Sequence, residues 1–322
     1  MSWWQFPLFP FAIIYDLVTR CRNWLFDIGV LRTYEFPQVK IVSVGNLSLG
    51  GTGKTPHVEL IIRWAIQNKI EAFVLSRGYG RKTNGPRIAG SADTADTLGD
   101  ESFGYFQDYG SSVGVCVAEK RAEGVRMILE NYPDTRLVIL DDAYQHRNLH
   151  RDLNILLTTY DRPYWKDYLV PSGRLRESRS GSKRADMVVI TKCPDQSDRI
   201  SDDLHSRIVY GNIESISGTI SHDVVAVAGL ADNEPFFQHV SKKYNMVARF
   251  TFDDHHTYSQ KEVEVILEMA KGATIVTTKK DVVKLKEFES MKNSNLGFIP
   301  ITVDLMGGEK QLEDRLEELM NE

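Results

Sequence analysis

The stretch that decides the fold is Val44–Ile61, "VGNLSLGGTGKTPHVELI". An apolar run leads into a glycine-rich turn, Lys54 and Thr55 follow, and apolar residues with helical spacing come next. Glycines at such a turn let backbone N–H groups point at phosphate oxygens, and the helix that follows adds its positive end. Lys54 can reach the β- and γ-phosphates of a nucleotide, and Thr55 can ligate Mg²⁺. The order of strand, glycine loop and helix therefore predicts a P-loop nucleotide site.

One position departs from the general P-loop pattern, which has a glycine at residue 48, where this chain has Ser48. The alternative interpretation is a chance glycine-rich turn that binds nothing. We expect the loop to cradle nucleotide phosphates, because the glycines nearest the phosphates are kept. The predicted cradle residues are Ser48, Leu49, Gly50, Gly51, Thr52, Gly53, Lys54 and Thr55.

A P-loop site also needs a carboxylate on the metal side, at the end of a neighbouring strand. The run "LVILDD" ends an apolar strand with Asp141 and Asp142. We expect this pair to bind Mg²⁺, and we expect Gln145 and His146 to lie close enough to share the site. The alternative is a solvated acidic pair, since acidic residues are common on protein surfaces.

The sequence favours ATP over GTP as the nucleotide. Guanine-specific P-loop proteins carry an Asn-Lys-x-Asp motif after a later strand of the sheet. The corresponding run here, "VVITKCP", has Thr191, Lys192, Cys193 and Pro194, with no acid at the needed place. The run therefore counts against a GTPase.

Apolar strand-like runs and helical patterns alternate along most of the chain. In the first two thirds, strands are predicted in "VKIVSVGN", "EAFVLSRGYGR", "SSVGVCVAEKR", "RLVILDDAYQH", "LNILLTT" and "ADMVVITKC". Continuous Val, Ile and Leu runs separated by helices predict a parallel sheet covered on both faces. The pattern then restarts, with strands predicted in "DVVAVAG", "MVARFTF", "ATIVTTKKD" and "LGFIPITVD".

We therefore predict an α/β fold in three parts, for which 322 residues are sufficient. These parts are an N-terminal amphipathic membrane-interface helix over residues 1–35, a P-loop NTPase-type parallel sheet domain over 36–215, and a smaller C-terminal α/β domain over 216–322. The final stretch, "EKQLEDRLEELMNE", is predicted to be a charged helix with a solvated face.

The N-terminal segment is apolar and aromatic, but it has neither a basic start nor a small-residue cleavage site, so no secretory signal is predicted. Its apolar run is interrupted by Pro7, Pro10 and Asp16, short of the about 20 residues that span a bilayer. Helical spacing gives an apolar stripe and an opposite polar stripe. The apolar stripe holds Ile14, Leu17, Val18, Cys21, Leu25 and Ile28, and the polar stripe holds Asp16, Arg20, Asn23 and Asp27. Flanking Trp and Arg residues favour a membrane surface, and a helix packed on the protein's own core is the alternative.

The composition excludes some classes of protein. A net charge of −5 argues against a protein that coats nucleic acid, so no nucleic-acid partner is expected. No obligate protein partner is inferred either. Cys21, Cys116 and Cys193 lie far apart in the sequence, which predicts neither a zinc site nor a disulfide framework and indicates a reducing compartment.

Three further polar clusters lie in predicted strand-end loops. They are "LGDES" with Asp100 and Glu101, "VPSGRLRES" with Arg174, Arg176 and Glu177, and "FDDHHTYS" with Asp253, Asp254, His255 and His256. Alone, each is a weak signal, because an Asp/His-rich loop is either a metal site or a solvated turn. Beside a P-loop that transfers phosphate, they would supply a base for the acceptor hydroxyl and cations for an anionic acceptor.

Together, the motifs resemble those of the tetraacyldisaccharide 4′-kinase family, the lipid A 4′-kinases of Gram-negative bacteria. The resemblance covers nearly the whole chain in the family's order. It is carried by the N-terminal helix and by "SVGNLSLGGTGKTP", "LSRGYGR", "GDE", "DDAYQH", "PSGRLRE", "DHH" and "TTKKD". The family's own loop has Ser or Thr at the position of Ser48, which accounts for that departure. One difference is Ala143-Tyr144, where the family usually has Gly-Phe.

The resemblance implies a Mg²⁺- and ATP-dependent kinase that phosphorylates the 4′-hydroxyl of an acylated glucosamine disaccharide 1-phosphate, a lipid A precursor. It also implies a peripheral or monotopic protein at the cytoplasmic face of the inner membrane, where the N-terminal helix meets the membrane surface. Two alternatives remain open at this point. One is a membrane-recruited P-loop NTPase switch, and the other is a soluble P-loop kinase that acts on a small metabolite.

The resemblance also assigns roles to residues. Lys54 is expected to hold the β- and γ-phosphates, and Asp100 with His255 to deprotonate the acceptor hydroxyl. Mg²⁺ is expected at Thr55, Asp141, Asp142 and Glu101. Substrate contacts are expected from Arg77, Tyr79, Arg121, His146, Arg176 and Glu177. Because Asp100 and His255 belong to different predicted domains, domain closure is expected to complete the site and exclude water.

Overall fold

The computed structural model describes residues 8–195, 198–254 and 256–322. The chain forms two compact units, one comprising the chain up to Ile208 together with Val303–Glu322, and the other comprising Val209–Thr302. The predicted division between residues 215 and 216 therefore falls inside the second unit. The C-terminal stretch, which we predicted in the smaller domain, belongs to the first unit.

The first unit alternates strands and helices as its sequence predicts. Its helices are α1 (Phe9–Asp27), α2 (Lys54–Gln67), α3 (Ala95–Leu98), α4 (Asp100–Tyr109), α5 (Arg121–Asn131) and α9 (Glu309–Asn321). Its sheet strands are β1 (Lys40–Asn46), β2 (Ala72–Ser76), β3 (Arg87–Ile88), β4 (Gly114–Val117), β5 (Leu137–Asp141), β6 (Leu153–Thr159), β7 (Met187–Thr191) and β8 (Leu204–His205). Two further strands, β9 (Arg207–Tyr210) and β15 (Ile301–Asp304), form a separate two-stranded sheet.

The strands β1 to β8 form one sheet in the order β3-β4-β2-β5-β1-β6-β7-β8. All neighbours are parallel except β3 and β4. Strand β1 lies between β5 and β6, with Val44 opposite both Asp141 and Ile155. Because the carboxyl ends of parallel strands share one edge of a sheet, the acidic end of β5 lies beside the glycine loop after β1, as predicted.

Apolar helices cover both faces of this sheet, which confirms the predicted two-face burial. Alternate residues of β1 point to opposite faces, so Val42 joins one core cluster and Ile41 the other. Helices α2, α4 and α9 pack in the first cluster, and α5 packs in the second. Each fully buried aliphatic side chain stabilises the fold by roughly 1.5–3 kcal/mol.

The C-terminal helix α9 has the solvated, charged face that we predicted, but its other face is buried, which we did not predict. Leu312, Leu316 and Leu319 are buried in the core of the first unit, at the helical spacing of i, i+4 and i+7. The charged residues between them are mostly exposed. The many charged residues of this stretch made the narrow apolar stripe formed by its leucines difficult to recognise in the sequence.

The second unit repeats the strand–helix pattern on a smaller scale, as predicted. Its helices are α6 (Glu234–Lys243), α7 (Gln260–Ala270) and α8 (Lys279–Leu285), and its strands are β10 (Glu214–Ser217), β11 (Asp223–Gly229), β12 (Asn245–Phe252), β13 (Thr274–Thr278) and β14 (Leu296–Ile299). The sheet order is β10-β14-β13-β11-β12, and only β10 is antiparallel to its neighbour. Helix α6 packs in one core cluster, and α7 and α8 pack in another.

Helix α1 turns its polar stripe towards the first unit. The Asn23 Nδ2 donates to Glu177 Oε2 at 2.8 Å, and the Tyr15 hydroxyl donates to the Arg176 carbonyl at 2.8 Å. Its exposed apolar side chains include Phe11, Ile14, Leu17, Val18 and Trp24, each more than half exposed. The alternative in which this stripe packs on the protein's own core is therefore wrong. Within the described ranges, no helix is long and apolar enough to cross a membrane.

Candidate active site

The turn between β1 and α2 has the backbone conformation of a phosphate-binding loop. Gly50 and Gly53 have φ angles of 103° and 81°, in a region that residues with side chains rarely adopt. Helix α2 begins at Lys54, directly after Gly53, and runs for 14 residues. The N–H groups of its first turn have no carbonyl partner within the helix. The loop therefore presents backbone donors and a positive helix end to an anion.

Neighbouring segments hold this loop in place. The Thr52 hydroxyl accepts from Asn46 Nδ2 at 2.8 Å, and the Thr52 carbonyl accepts from the Thr191 hydroxyl at the end of β7 at 2.9 Å. The Leu49 N–H donates to the Arg174 carbonyl at 2.7 Å. The loop is thus fixed from two sides before any ligand binds, which reduces the entropy lost on binding.

His57 is a loop-supporting residue that we did not predict. Its Nδ1 lies 2.7 Å from the Gly53 carbonyl, and its Nε2 lies 3.0 Å from the Ser206 hydroxyl. Because a carbonyl only accepts, Nδ1 carries the proton and the Ser206 hydroxyl donates to Nε2. Burial lowers the pKa of His57 to about 4, so the ring stays neutral at physiological pH. The sequence signal for this supporting role was the spacing of four residues between Gly53 and His57, because residues i and i+4 lie on the same face of a helix.

Two cations converge on the Asp142 carboxylate. Arg176 NH1 lies 3.0 and 3.1 Å from its two oxygens, and Lys54 Nζ lies 3.7 Å from Oδ2. Gln145 Oε1 also lies 3.4 Å from Arg176 NH1. The arrangement brings together the P-loop lysine, one acid of the β5 pair and the arginine of the "PSGRLRE" motif. Both cations are placed to form ion pairs with the negatively charged phosphate oxygens of a nucleotide bound at the loop.

The Asp141 carboxylate is buried at the end of β5 with one oxygen unpaired. Its Oδ2 accepts from the Tyr105 hydroxyl at 3.2 Å, and its Oδ1 has no hydrogen-bond partner among the described residues. Burial, and then the negative charges of Glu101 and Asp142, raise the pKa of Asp141 to about 7. A buried acceptor without a partner is unfavourable, and a bound cation would offset that cost.

The surroundings of Asp141 fit a magnesium ion that completes its shell with phosphate and water. In the described part of the chain, no three Asp, Glu, His or Cys side chains converge to form a metal cage. Mg²⁺ commonly uses only one or two carboxylates in nucleotide sites. Thr55 lies at the Tyr105 hydroxyl that also faces Asp141. Thr55 and Asp141 therefore fit as the protein ligands, whereas Asp142 is engaged by two cations.

Comparison with known proteins shows the family of this chain. The sequence model of a family described as LpxK, tetraacyldisaccharide-1-P 4′-kinase, matches residues 4–321. The chain belongs to the tetraacyldisaccharide-1-P 4′-kinase family.

Relatives named tetraacyldisaccharide 4′-kinase occur in Flavobacterium johnsoniae and Flavobacterium psychrophilum. The Flavobacterium johnsoniae protein is 40% identical over 91% of this chain and 91% of its own length. The Flavobacterium psychrophilum protein is 36% identical over 98% of this chain and 97% of its own length. A crystal structure of LpxK from Aquifex aeolicus in complex with ATP superposes with a TM-score of 0.80 and 29% identity, covering 98% of this chain and 99% of that one. These matches confirm the family resemblance and the α/β P-loop fold.

In this family member, Arg121 is buried rather than open to a substrate. Its NH1 donates to the Ala118 carbonyl at 2.7 Å, and its NH2 donates to the Asp141 carbonyl at 3.3 Å. Burial lowers the pKa of Arg121 to about 10. The guanidinium lies beneath the end of β5 and supports its main chain, and the predicted substrate contact of Arg121 stays a prediction.

Glu177 is likewise buried, and its predicted substrate contact stays a prediction. Its carboxylate accepts from Asn23 Nδ2 at 2.8 Å, from Arg184 NH2 at 2.8 Å and from Gln145 Nε2 at 3.2 Å. The residue therefore joins helix α1 to the turn after β5. Its neighbour Arg176 is the member of the motif that faces the site.

Other 4′-kinase motif residues lie at the same edge of the sheet. Burial, and then the positive charges of Arg121 and Arg77, lower the pKa of His146 to about 4. Arg77 and Tyr79 follow β2 and are exposed, Tyr79 by 75%. These residues remain candidates for substrate contact.

Asp100 is the first residue of α4. The start of this helix is held to β2, because the Ser102 and Ser76 hydroxyls lie 2.5 Å apart. His255, the predicted partner of Asp100, lies outside the described residues, so its role stays a prediction. The adjacent His256 stacks on Phe252 with ring centroids 4.5 Å apart, and its Nε2 lies 3.2 Å from Glu262.

Proposed function

We propose that this kinase transfers the γ-phosphoryl group of ATP to the 4′-hydroxyl of tetraacyldisaccharide 1-phosphate in lipid A biosynthesis. The observation that carries the proposal is the unpaired, buried Asp141 oxygen beside a phosphate loop, in a chain that matches the family from end to end. Phosphoryl transfer requires positioned phosphates, a cation beside them and a base for the acceptor.

The phosphate loop binds the nucleotide with its backbone N–H groups, and Lys54 and Arg176 neutralise phosphate oxygens. Thr55 and Asp141 hold Mg²⁺, with Asp142 and Glu101 contributing negative charge nearby. When bound, Mg²⁺ stabilises the negative charge that builds up on the transferred phosphoryl group. Arg121 and His57 act indirectly, because they support the ends of β5 and of the loop.

Asp100 and His255 are proposed to remove the proton of the 4′-hydroxyl as it attacks the phosphoryl group. A carboxylate and an imidazole acting as one unit can accept this proton near neutral pH. Arg77, Tyr79 and His146 are proposed to contact the lipid substrate. The position of Asp100 at the start of α4, beside the Glu101 charge that acts on Asp141, supports its part in this role.

The decisive experiment measures transfer of radiolabelled phosphate from ATP to the tetraacyldisaccharide 1-phosphate, with Lys54→Ala as the inactive control. Transfer to the lipid that is lost in the variant would support the proposal. ATP hydrolysis that is independent of the lipid would instead support the NTPase switch. Transfer to a small metabolite in preference to the lipid would support the soluble metabolite kinase.

We further propose that α1 seats the enzyme on the cytoplasmic face of the inner membrane. The exposed stripe of Ile14, Leu17 and Val18, on a helix whose polar side is bonded to the protein, supports this role. We expect the Ile14→Ser, Leu17→Ser, Val18→Ser variant to lose co-sedimentation with anionic phospholipid vesicles. The matched control is Val265→Ser, Met269→Ser, which removes exposed apolar side chains from α7. Equal binding of both variants would contradict the proposal.

A further inference from the structure

The beginning of α8 in the second unit brings several polar side chains to the segment that follows β12. Helix α8 starts directly after β13, with Thr278 as its N-cap. The Thr278 hydroxyl accepts from the Asp281 N–H at 3.1 Å and donates to Asp281 Oδ2 at 2.7 Å. This reciprocal pair fixes the Asp281 side chain, which is only 1% exposed.

Asp281 joins the ends of two neighbouring strands, β11 and β13, beside this segment. Its Oδ2 accepts from the N–H of Gly229, the last residue of β11, at 2.9 Å. A side chain at residue 229 would have its Cβ 3.0 Å from Asp281 Oδ1 and 3.1 Å from the Asp253 carbonyl. The glycine therefore allows the carboxylate, the end of β11 and the chain after β12 to approach closely. Burial, and then the charge of Asp281, raise the pKa of the nearby Tyr258 hydroxyl above its usual value.

Two lysines of α8 reach the same segment on either side of residue 255. Lys280 Nζ donates to Asp254 Oδ1 at 2.7 Å, and Lys284 Nζ donates to the His256 carbonyl at 3.1 Å. The three side chains, Lys280, Asp281 and Lys284, form what we call the α8 clamp. The clamp holds residues before and after position 255 that belong to no helix or strand.

We propose that Asp281 is a positioning residue for phosphoryl transfer, which acts through the α8 clamp on the segment that carries His255. The inference rests on the proposed role of His255 in removing the acceptor proton. Asp281 is buried and accepts from the Gly229 N–H and the Thr278 hydroxyl, so it acts through other residues rather than on the substrate. Small displacements of a catalytic group reduce the rate strongly, which gives a clamp of this kind a measurable effect.

The test uses the full-length kinase with Asp281→Ala, Asp281→Asn and Lys284→Met. The matched control is Lys286→Met, which removes an exposed lysine at the end of the same helix. We measure kcat, the KM values for ATP and lipid, and amide hydrogen exchange of residues 253–258 without substrate. We expect Asp281→Ala to lower kcat at least tenfold and to speed exchange in this segment, with the KM for ATP changed less than twofold. Asp281→Asn keeps one acceptor oxygen and should recover most of the activity.

Two outcomes would overturn the inference. One is unchanged hydrogen exchange of residues 253–258 in both Asp281→Ala and Lys284→Met. The other is a loss in kcat that is equal for Lys284→Met and Lys286→Met. If Asp281→Ala does not fold, Asp281→Asn and Lys284→Met decide the matter. A fully active His255→Ala variant would reject the proposed base while the exchange result still reports on the clamp, so the two failures are distinguishable.

Discussion

Two buried aspartates at strand ends, Asp141 in the first unit and Asp281 in the second, have opposite surroundings. Asp281 accepts from the Gly229 N–H and the Thr278 hydroxyl. Asp141 accepts only from the Tyr105 hydroxyl on one oxygen, and its other oxygen has no partner within the described ranges. Both side chains are nearly inaccessible to solvent, since Asp281 is 1% exposed and Asp141 is 2% exposed.

The difference separates an acid that holds other parts of the protein in position from an acid that is available to bind a cation. A buried carboxylate whose hydrogen bonds are satisfied stabilises the fold around it, because each bond to a charged group contributes about 1.5–3 kcal/mol. A buried carboxylate left unsatisfied and surrounded by other acids destabilises the ligand-free protein and favours binding of a cation. Substitution at Asp141 should therefore have the larger effect on activity, and the two substitutions should have opposite effects on stability.

The largest expected effect is on activity at Asp141. Asp141→Asn keeps the shape of the side chain but removes the charge that holds Mg²⁺. We expect kcat to fall by about a thousandfold, or ~4 kcal/mol of transition-state stabilisation. The measurement is phosphate transfer at saturating ATP and Mg²⁺. Turnover within tenfold of the unsubstituted enzyme would show that Asp141 is no metal ligand and would remove the contrast with Asp281.

The next effect is a pH dependence of stability caused by Asp141. Its pKa in the folded protein is about 7, above the ordinary value of 3.8, so between these pH values the folded state binds more protons than the unfolded state. The free energy of unfolding should therefore fall as pH rises through this window, by on the order of 3 kcal/mol. Urea unfolding of metal-free protein between pH 5 and 8, compared with Asp141→Asn, isolates this contribution. Parallel stability curves for the two proteins would contradict it.

A smaller effect is expected at Asp281, and in the opposite direction. Asp281→Ala leaves the Gly229 N–H without its acceptor, and should lower the free energy of unfolding by about 2 kcal/mol at pH 7. Asp141→Asn should leave stability unchanged or increase it under the same conditions. Asp223→Ala is the control, because the side chain of this exposed residue at the start of β11 accepts from the exposed Asn245 Nδ2 at 2.7 Å. A larger loss in Asp141→Asn than in Asp281→Ala would reverse the comparison.

The smallest effect concerns His57, a buried group that is satisfied like Asp281 but lies beside the phosphate loop like Asp141. His57→Leu keeps the bulk of the ring and removes the donor to the Gly53 carbonyl. We expect the KM for ATP to rise about fivefold, or ~1 kcal/mol, with kcat nearly unchanged. Because the pKa of His57 is about 4, the effect should not vary between pH 6 and 8. Ser206→Ala, which leaves the Gly53 contact in place, should change the KM less than twofold.

The sequence predicted those parts of the fold that depend on local pattern. Strands β1 and β5 are continuous apolar runs, so the glycine loop and the acidic pair could both be placed at strand ends before the structure was known. The loop between β1 and α2 was predictable because only glycine readily adopts the backbone angles found at Gly50 and Gly53. The parallel order of the strands followed from the helices between them.

The roles of charged residues were harder to predict, because burial depends on contacts distant in sequence. Arg121 and Glu177 have the residue types of substrate ligands, yet both are fully buried. Glu177 is buried by Asn23, which is 154 positions away along the chain. The buried face of the C-terminal helix was missed for the same reason, because its three leucines are buried only through the core that they join. The sequence gives the charged residues, but it does not give the neighbouring residues that neutralise their charge in the folded protein.

The outward apolar stripe of α1 has a consequence for how the enzyme encounters its substrate. The helix is bonded through Tyr15, Arg20 and Asn23 to residues 176–178. Arg176 of this segment contacts Asp142, which also faces the P-loop Lys54, and all of these residues belong to the first unit. An enzyme that α1 seats on the membrane, as we propose, samples a two-dimensional population of lipids. Its rate should then follow the mole fraction of substrate in a mixed micelle rather than its bulk concentration, and adding neutral detergent at constant bulk substrate should slow the reaction by surface dilution.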